Sequence, residues 1–332
     1  MPARVVAEHR GRYVVDDGAG ERPATLAGRL RHHVRAREDL PATGDWVALD
    51  AGADGAASIH AVLPRRGAFL RKAAGEATEA QVLAANVDVA LIATALPADL
   101  SERRIERYLA LAWESGAVPV VLLTKADLAM DADAAARAVR AVAPGVDVAA
   151  VSSVTGDGLD ALGRWLRPGR TAVLLGSSGV GKSTLANRLM GGEVLRTGAV
   201  REDGKGRHTT THRQLLTLAS GALLIDTPGM RELQLWSADT GLDAAFADVE
   251  ALAAGCRFAD CGHDAEPGCA VRAAAERGAL DPARLASWQR LRRELAWLAT
   301  RQDEAAAAQE KARVRSIHRA QRAHYRQGGK HR

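Results

Sequence analysis

Apolar and polar positions follow three different patterns along the chain, and the first pattern predicts a small β-barrel. Residues 1–73 contain short segments in which apolar and polar side chains roughly alternate, with turn residues between them. These segments are Arg12 to Val15, Thr25 to Leu30, Asp45 to Leu49 and Ser58 to Leu63. Several short strands with turn residues between them are typical of a barrel. An OB-fold and an SH3-like barrel fit this pattern equally well.

Residues 74–238 show the second pattern, in which uniformly apolar runs alternate with amphipathic stretches. The apolar runs cover residues 87–96, 118–123, 146–151, 171–175 and 223–225, and the amphipathic stretches cover residues 101–113, 132–142, 159–166 and 182–190. Strands without a polar face, alternating with helices, predict a parallel sheet with helices on both faces. Ser101 precedes the first of these helices and is a typical N-cap residue.

The third pattern, in residues 239–332, is helical and rich in alanine. Between Asp281 and Arg301, apolar side chains recur at the spacing of one helix face, and we expect them to pack in a core. They are Leu285, Trp288, Leu291, Leu295 and Leu298. The patterns thus predict a barrel in residues 1–73, an α/β domain in residues 74–238 and a mostly α-helical domain in residues 239–332.

The composition is that of an ordinary globular protein, since 47% of the 332 residues are apolar and 26% are charged. No uncharged apolar run reaches the ~18 residues that a membrane span needs, and the first residues lack the apolar core of a secretion signal. We therefore expect a cytoplasmic protein that does not contact a membrane. Three cysteines are too few for a disulfide framework, and an odd number would leave one thiol unpaired.

Basic residues are concentrated at the C-terminal end. Residues 311–332 contain eight Lys and Arg and no acidic residue, whereas the preceding residues carry 37 basic and 40 acidic side chains. A basic tail of this kind can bind a polyanion such as RNA, or it can be only a solvated segment.

A nucleotide-binding motif follows the apolar run 171–175. Residues 176–184 match the P-loop pattern G-x4-G-K-[ST], with a strand expected before them and a helix after them. Glycines let main-chain N–H groups wrap phosphate oxygens, Lys182 can reach the β- and γ-phosphates, and Ser183 can ligate Mg²⁺. The predicted phosphate-binding residues are Gly176, Ser177, Ser178, Gly179, Val180, Gly181, Lys182, Ser183 and Thr184.

A second motif, Asp226-Thr227-Pro228-Gly229, follows the apolar run 223–225. An Asp at the carboxyl end of a strand is typical of a Walker B acid near Mg²⁺, and the main-chain N–H of Gly229 can bind a γ-phosphate. After a P-loop, this otherwise common turn sequence indicates a nucleotide-hydrolysing site.

The residues Thr124, Lys125, Ala126 and Asp127 end the apolar run 118–123 and resemble the N-K-x-D guanine motif of GTPases. In that motif the Asp carboxylate accepts hydrogen bonds from two donors at the Watson–Crick edge of guanine, a pair that adenine lacks. Thr124 replaces the usual Asn, so we expect some hydrogen bonding to the base or to the P-loop to be weaker.

The order of these motifs differs from that of an ordinary GTPase, which begins with the P-loop and ends with the guanine motifs. Here the guanine motif comes first, followed by Ser152 and Ser153, which resemble the loop that contacts guanine O6. The P-loop and Asp226 come afterwards. Contacts within a site depend on spatial neighbours, so the sequence predicts a circularly permuted domain that binds GTP or GDP.

All three cysteines lie close to one histidine, as Cys256, Cys261, His263 and Cys269. Three thiolates and one imidazole form a complete tetrahedral ligand set for one structural Zn²⁺ ion. A closed four-ligand site leaves no open position for catalysis. The alternative is three unrelated buried thiols and a surface histidine.

This combination of a barrel, permuted GTPase motifs and a cysteine cluster resembles the ribosome small-subunit-dependent GTPase A (RsgA) family over essentially the whole chain. Residues Gln81 to Asp88 and Gly206 to Thr211 resemble sequences of that family, the latter its switch I signature. The resemblance implies an N-terminal OB-fold that binds RNA, a permuted GTPase domain and a C-terminal zinc-binding domain. It also implies a late role in maturation of the 30S ribosomal subunit through 16S rRNA.

The residue that orients the attacking water is expected to be unusual. Many GTPases place a Gln directly after D-x-x-G, where this chain has Met230, a side chain that cannot orient water. His208 lies beside the switch I threonines and can accept a hydrogen bond from water near pH 7, so we predict it as the catalytic residue. Thr210 is the predicted switch I ligand of Mg²⁺, together with Ser183 and Asp226. The alternative for His208 is a contact with rRNA or solvent.

Together these features predict a monomeric enzyme that hydrolyses GTP to GDP and phosphate, with Mg²⁺ bound beside GTP and turnover stimulated by the 30S subunit. An alternative is an RNA-binding assembly factor that holds GTP as a structural ligand without turnover. A P-loop kinase or ATPase is a third class, and the guanine motif and the lack of a kinase-like acceptor site argue against it.

Overall fold

The structure is a computed structural model, and it describes residues 1–9, 11–51, 57–72, 80–192, 213–226 and 239–300. His208, Thr210, Gly229, Met230 and the basic tail 311–332 lie outside these ranges. Within the described residues, no helix combines the length and the apolar composition that crossing a bilayer requires.

The N-terminal region is a closed barrel of five strands. The strands are β1 (Pro2–His9), β2 (Arg12–Asp16), β3 (Glu21–Leu26), β4 (Trp46–Ala51) and β5 (Ala57–Val62). They follow the order β1-β2-β3-β5-β4, and β4 pairs with β1 to close the barrel. β3 and β5 run parallel, whereas the other neighbours are antiparallel. This strand order is that of an OB-fold, and it decides between the two barrels that the sequence pattern leaves open.

The predicted segment Thr25 to Leu30 does not form one strand. β3 ends at Leu26, which pairs with Ile59 of β5, and a short helix α1 (Gly28–His33) then leads towards β4. Leu30 packs against the barrel core from this helix. Over so few residues, an inward-facing side chain on a helix looks the same in sequence as one on a strand.

A two-stranded ribbon links the barrel to the central domain. β6 (Ala68–Lys72) pairs antiparallel with β7 (Ala80–Ala85), and the sequence pattern predicts neither strand. A 3-10 turn (Arg37–Asp39) after α1 packs against β7. The predicted domain boundary between residues 73 and 74 falls between the two strands of the ribbon. This boundary, like the one after residue 238, stays a prediction.

The central domain continues the barrel sheet, which has 11 strands in all. Its strands are β8 (Val89–Ala95), β9 (Val118–Thr124), β10 (Asp147–Ala150), β11 (Thr171–Leu175), β12 (Arg213–Thr217) and β13 (Leu223–Asp226). They follow the order β10-β9-β8-β11-β13-β12, and all are parallel except β12. Each apolar run predicted as a strand is confirmed. The additional strand β12 also pairs with β1, with Ala7 opposite Gln214, and so joins the barrel to the central sheet.

Helices cover both faces of the central sheet, as predicted. α2 (Glu102–Glu114) and α3 (Ala132–Val142) lie on one face, and α4 (Lys182–Met190) lies on the other. Leu91 and Ile92, neighbours on β8, point into these two separate cores. Strands that are apolar on both faces therefore have a core on each side.

Two details of the predicted helices need correction. The segment 159–166 forms only a short 3-10 helix (Asp160–Arg164), because it is bounded by Gly158 at a φ of +72° and by Pro168. Ser101 occupies the N-cap of α2, but its side chain makes no capping hydrogen bond. Its main-chain carbonyl accepts the first hydrogen bonds of the helix instead.

The C-terminal region is helical, as predicted. α5 (Asp239–Ala245), α6 (Ala247–Ala253) and α7 (Ala270–Glu276) are followed by α8, which covers residues 282–300. The apolar residues predicted on one face of α8 are all buried: Leu285, Trp288, Leu291, Leu295 and Leu298. This face packs in the same core as α2, so the C-terminal region is attached to the central domain.

A buried ion cluster reinforces this attachment. Arg284 of α8 is 4% exposed and donates to Glu106 of α2 at 2.9 Å and to both carboxylate oxygens of Asp248 of α6 at 2.6 Å. It also donates to the main-chain carbonyls of Val142 and Ala245, each at 2.9 Å. Every N–H group of the guanidinium therefore has an acceptor, which a buried charge requires.

Candidate functional site

The residues predicted to bind nucleotide lie at one edge of the central sheet, where its parallel strands end. Thr124 ends β9, Gly176 follows β11, and Asp226 ends β13. Thr124 lies opposite Ala95 at the end of β8, which separates β9 from β11. Ligands of open α/β sheets bind in the crevice at these carboxyl ends. The fold thus brings together motifs that are far apart in the sequence.

The P-loop turns from β11 into α4 through glycines with positive φ angles. These angles are +137° at Gly176, +77° at Gly179 and +93° at Gly181. At Gly176 a Cβ atom would lie 2.3 Å from the carbonyl oxygen of Ala93 on β8, so only glycine fits there. Gly181 is the N-cap of α4, which leaves the first N–H groups of the helix available to phosphate oxygens.

The side chains of the P-loop are arranged for an anionic ligand. Nζ of Lys182 donates to the carbonyl oxygens of Gly176 at 2.8 Å and Ser177 at 2.5 Å, so the ammonium lies over the loop. Val180 is buried and holds the loop against the domain. The remaining residues of the loop that are exposed to solvent are Ser178, Gly179, Ser183 and Thr184.

Thr124 still connects the guanine motif to the P-loop, although it replaces the usual Asn. Its buried hydroxyl donates to the carbonyl oxygen of Val180 at 2.6 Å and lies 3.2 Å from the carbonyl oxygen of Thr94. The hydroxyl has only one proton, so the shorter contact takes the hydrogen bond. Thr124 therefore makes a hydrogen bond to the P-loop, although we expected the replacement of Asn to weaken such a contact.

The next residues of the guanine motif form an open turn. Lys125 has a φ of +56°, and a 3-10 helix (Ala126–Leu128) follows it. The carboxylate of Asp127 is exposed, as a group that binds a base must be. The N–H of Ala126 donates to the carbonyl oxygen of Val151 at 3.2 Å, which places the loop after β10 beside the motif.

That loop contains Ser152 and Ser153. Ser152 is fully buried, and its hydroxyl accepts hydrogen bonds from the N–H groups of Val154 at 3.2 Å and Thr155 at 3.1 Å. These bonds fix the loop next to the guanine motif, with Ser153 partly exposed. Both elements predicted to contact guanine are therefore neighbours in space.

Two oxygen groups suited to Mg²⁺ lie on the other side of the P-loop. Ser183 is exposed on the first turn of α4, and Asp226 ends β13, the strand beside β11. A hydroxyl and a carboxylate are ligands that Mg²⁺ prefers. The other predicted residues, Thr210, Gly229 and His208, lie outside the described part of the chain.

The P-loop is also contacted by two side chains outside the sequence motifs, Asp99 and Arg104. Both make hydrogen bonds with the hydroxyl of Ser177. They precede Ser177 by 78 and 73 residues and belong to none of the motifs. Only the fold shows that they are part of this site.

The four predicted metal ligands form one compact cluster. Ligand atoms of Cys256, Cys261, His263 and Cys269 all lie within 4.8 Å of one another. Nδ1 of His263 is 3.6 Å from Sγ of Cys256 and 3.4 Å from Sγ of Cys269, and these two sulfur atoms are 3.9 Å apart. A tetrahedral zinc site with bonds of ~2.0–2.3 Å separates its ligand atoms by roughly 3.5–3.8 Å. The donor set and its spacing fit one tetrahedral metal ion.

Hydrogen bonds hold the loop around His263. The carboxylate of Glu266 accepts from the main-chain N–H groups of Gly262 at 2.8 Å, Asp264 at 2.9 Å and Ala265 at 3.1 Å. These bonds replace secondary structure in a short, irregular segment. The metal ligands are therefore presented by a defined turn.

Groups on α8 and around the ring set the environment of His263. Gln289 donates to its carbonyl oxygen at 2.7 Å, and the ring of Trp288 packs with its centroid 4.9 Å from that of the imidazole. Burial and the charge of Arg292 lower the pKa of His263. A lowered pKa favours the neutral imidazole, which is the form that binds a metal ion.

These features define a class of protein. A parallel sheet that carries a P-loop, a guanine motif and a Walker B carboxylate at one edge is the framework of a P-loop GTPase. The guanine strands β9 and β10 precede the P-loop strand β11 in the chain, and β8 separates them from it in the same sheet, so the domain is circularly permuted.

Comparison with known proteins identifies the family. Residues 62–236 match the RsgA GTPase family. The chain is 51% identical to the small ribosomal subunit biogenesis GTPase RsgA of Opitutus terrae, over 99% of this chain and 93% of that protein. It is 48% identical to RsgA 2 of Lactiplantibacillus plantarum, over 89% of this chain and 83% of that protein. The chain belongs to the RsgA GTPase family, and it is a P-loop enzyme that hydrolyses GTP.

Solved structures agree with this assignment. YjeQ from Thermotoga maritima superposes with a TM-score of 0.69 at 27% identity, over 89% of this chain and 98% of that one. YloQ, described as a circularly permuted GTPase, gives a TM-score of 0.61 at 24% identity, over 89% of this chain and 94% of that one, and shares the fold. The family resemblance and the fold class predicted from sequence are confirmed.

Proposed function

We propose that this enzyme hydrolyses GTP during late maturation of the 30S ribosomal subunit, and that contact with the subunit and its 16S rRNA stimulates hydrolysis. The observation that carries the proposal is the meeting of the P-loop, the guanine motif and Asp226 at one edge of the sheet. The relatives in Opitutus terrae and Lactiplantibacillus plantarum, named as small ribosomal subunit biogenesis GTPases, indicate the partner.

In this proposal the two sides of the crevice bind the two ends of the nucleotide. The exposed carboxylate of Asp127 accepts hydrogen bonds from guanine, and the loop with Ser152 and Ser153 lies beside the base. The main-chain N–H groups of residues 176–184 bind the phosphates, and Lys182 neutralises their charge. The carboxylate selects GTP over ATP because adenine lacks the matching pair of donors.

Magnesium is the metal expected beside the phosphates. Ser183, Asp226 and Thr210 would hold it, and the ion would offset negative charge on the phosphate oxygens as the γ-phosphate leaves. The hydroxyl and the carboxylate of the described residues suit this ion better than a soft metal.

His208 is the proposed catalytic residue, and it would accept a hydrogen bond from the attacking water. Replacing it in His208→Ala should lower hydrolysis on 30S subunits by roughly 10²-fold, with GTP affinity nearly unchanged, because a general base acts in the chemical step. Met230→Ala is the matched control and should have a much smaller effect. Hydrolysis by the histidine variant at the wild-type rate would assign the water-orienting role to another residue.

The cysteine cluster is proposed to hold one structural Zn²⁺ ion. Three sulfur atoms and one neutral imidazole favour zinc over hard cations such as Mg²⁺, and four protein ligands leave no open position for catalysis. Elemental analysis should find about one zinc per chain in protein purified without chelator, because four soft ligands at tetrahedral spacing bind Zn²⁺ tightly.

Contact with rRNA is proposed for the barrel and the basic tail. Exposed basic side chains are grouped on and after α1, at one end of the barrel: Arg29, Arg31, His32, His33, Arg35 and Arg37. Together with residues 311–332, they would bind phosphate groups in a salt-dependent manner. We propose that the enzyme acts as a monomer in the cytoplasm.

Phosphate release measured with and without purified 30S subunits tests the proposal. We expect slow release by the protein alone and a marked acceleration by 30S subunits. Binding of GTP and 30S subunits without release above background would instead support an RNA-binding factor that uses GTP as a structural ligand.

A further inference from the structure

A hydrogen-bonded group outside the recognised motifs touches the P-loop at its second residue. Asp99 lies in the connection between β8 and α2, and Arg104 lies on the first turns of α2. The guanidinium of Arg104 donates to the carboxylate of Asp99 at 2.5 Å and to the hydroxyl of Ser177 at 2.6 Å. The same hydroxyl donates to the other carboxylate oxygen of Asp99 at 2.8 Å. Ser177 thus has one strong acceptor and one charged donor.

Ser177 in turn holds the P-loop lysine. Its carbonyl oxygen accepts a hydrogen bond from Nζ of Lys182 at 2.5 Å. Gly176, the residue before Ser177, has a positive φ, and a glycine leaves the main chain here more conformational freedom than another residue would. A fixed Ser177 side chain therefore limits where its own carbonyl, and so the ammonium of Lys182, can lie.

The group also extends towards the guanine motif. The hydroxyl of Thr94 donates to the carbonyl oxygen of Asp99 at 2.8 Å, and Thr94 is 4% exposed. The carbonyl of Thr94 lies 3.2 Å from the hydroxyl of Thr124. The turn that contains Asp99 is therefore hydrogen-bonded to the buried carboxyl end of β8, which restricts its movement next to the P-loop.

We propose that Arg104 and Asp99 are positioning residues for GTP, which hold Lys182 in place for the phosphates by fixing Ser177. Neither residue needs to touch the nucleotide. Because Lys182 serves the β- and γ-phosphates, its displacement costs more binding to GTP than to GDP. A merely structural role of the pair would lower stability without changing this ratio. The inference rests on the proposed phosphate-binding role of the P-loop.

A double-mutant cycle tests the inference on the full-length protein. Arg104→Gln and Ser177→Ala should each raise the Kd of a fluorescent GTP analogue about fivefold to tenfold, the size of one ordinary hydrogen bond, because the pair of Arg104 and Asp99 is partly exposed to solvent. The Kd of the GDP analogue should rise less. Because both residues act through one hydroxyl, the double variant should be no worse than the weaker-binding single variant. Arg103→Gln, one position earlier on the exposed side of α2, is the matched control and should bind like the wild type.

The results separate this inference from the function itself. Effects that multiply in the double variant, an equal loss for GTP and GDP, or unchanged Kd values in both single variants would overturn the positioning role. If Arg104→Gln fails to fold, Asp99→Asn replaces it in the same cycle, with the same expected outcome. Absence of GTP binding by the wild-type protein would instead contradict the proposed nucleotide site.

Discussion

The proposed nucleotide site is built on loops at the carboxyl ends of buried strands, whereas side chains on an irregular loop between α6 and α7 build the metal cluster. The central sheet positions the loops of the first site. The second brings three thiols and an imidazole into contact on a short loop, so we expect a bound ion to stabilise it. We therefore expect the two sites to depend on different interactions, although α2 and α8 join their regions.

The junction between the two regions offers the largest expected effect. In Arg284→Met the carboxylate of Glu106, which is 2% exposed, loses its charged partner and keeps only the hydrogen bond with Ser287, and burial already raises the pKa of that carboxyl group. We expect a loss of about 3–5 kcal/mol in the free energy of unfolding, because an unpaired buried charge is left behind. Denaturant unfolding measures this loss.

Arg107→Met is the matched control for the junction. Arg107 pairs with Glu294 between the same two helices at 2.6 Å, but both side chains are about one-third exposed. A pair of this kind contributes about 0–1 kcal/mol. Adding Glu106→Gln to Arg284→Met should recover part of the lost stability. Equal effects of the two arginine variants would show that the buried cluster does not hold the regions together.

The guanine motif offers the next effect in size. Asp127→Ala removes an acceptor of two hydrogen bonds and should weaken GTP binding by about 2–4 kcal/mol while leaving weak ATP binding unchanged. Titration with fluorescent nucleotides measures both affinities. Asp133→Ala, an exposed acid on α3, should have no effect. Unchanged GTP affinity in the Asp127 variant would exclude the assigned role.

A smaller effect is expected where the guanine motif meets the P-loop. Thr124→Val keeps the shape of the side chain but leaves the carbonyl of Val180 without its hydroxyl donor. We expect GTP binding to weaken by about 1–2 kcal/mol, the usual cost of an unsatisfied buried acceptor. Thr124→Ser, which retains the hydroxyl, should bind GTP like the wild type. If both variants bind GTP equally, the hydrogen bond does not support the site.

Local patterns were sufficient to predict the parallel strands of the central sheet and the last helix, but not the antiparallel strand β12. The strand 171–175 and the helices 132–142 and 182–190 are predicted with the bounds that the structure shows, because the strand is an uninterrupted apolar run and the helices have amphipathic spacing. The metal cluster is likewise predictable, because its four ligands lie close together in the sequence and share one chemistry.

Features that depend on distant residues could not be predicted from local patterns, although the family resemblance already implied the OB-fold. The choice of an OB-fold rests on the parallel pairing of β3 with β5, and no local pattern encodes which strands are neighbours. Arg284 and Glu106 are 178 residues apart, so their pairing is visible only in the fold. Thr124 departs from its motif, and its bond to Val180 became evident only from the position of the P-loop.

We propose that the metal cluster supports docking to the 30S subunit, while the nucleotide site functions without the metal. To test this directly, the protein is treated with a chelator, Mg²⁺ is restored, and the affinities for GTP and for 30S subunits are measured on the same sample. Cys261→Ser removes one ligand by mutation, and Asp260→Asn is the control. We predict that 30S affinity falls at least about tenfold while GTP affinity changes by less than about twofold, because the ion stabilises only its own region. Loss of GTP binding together with 30S binding, or no change in either affinity, would show that the two sites are not independent in this way.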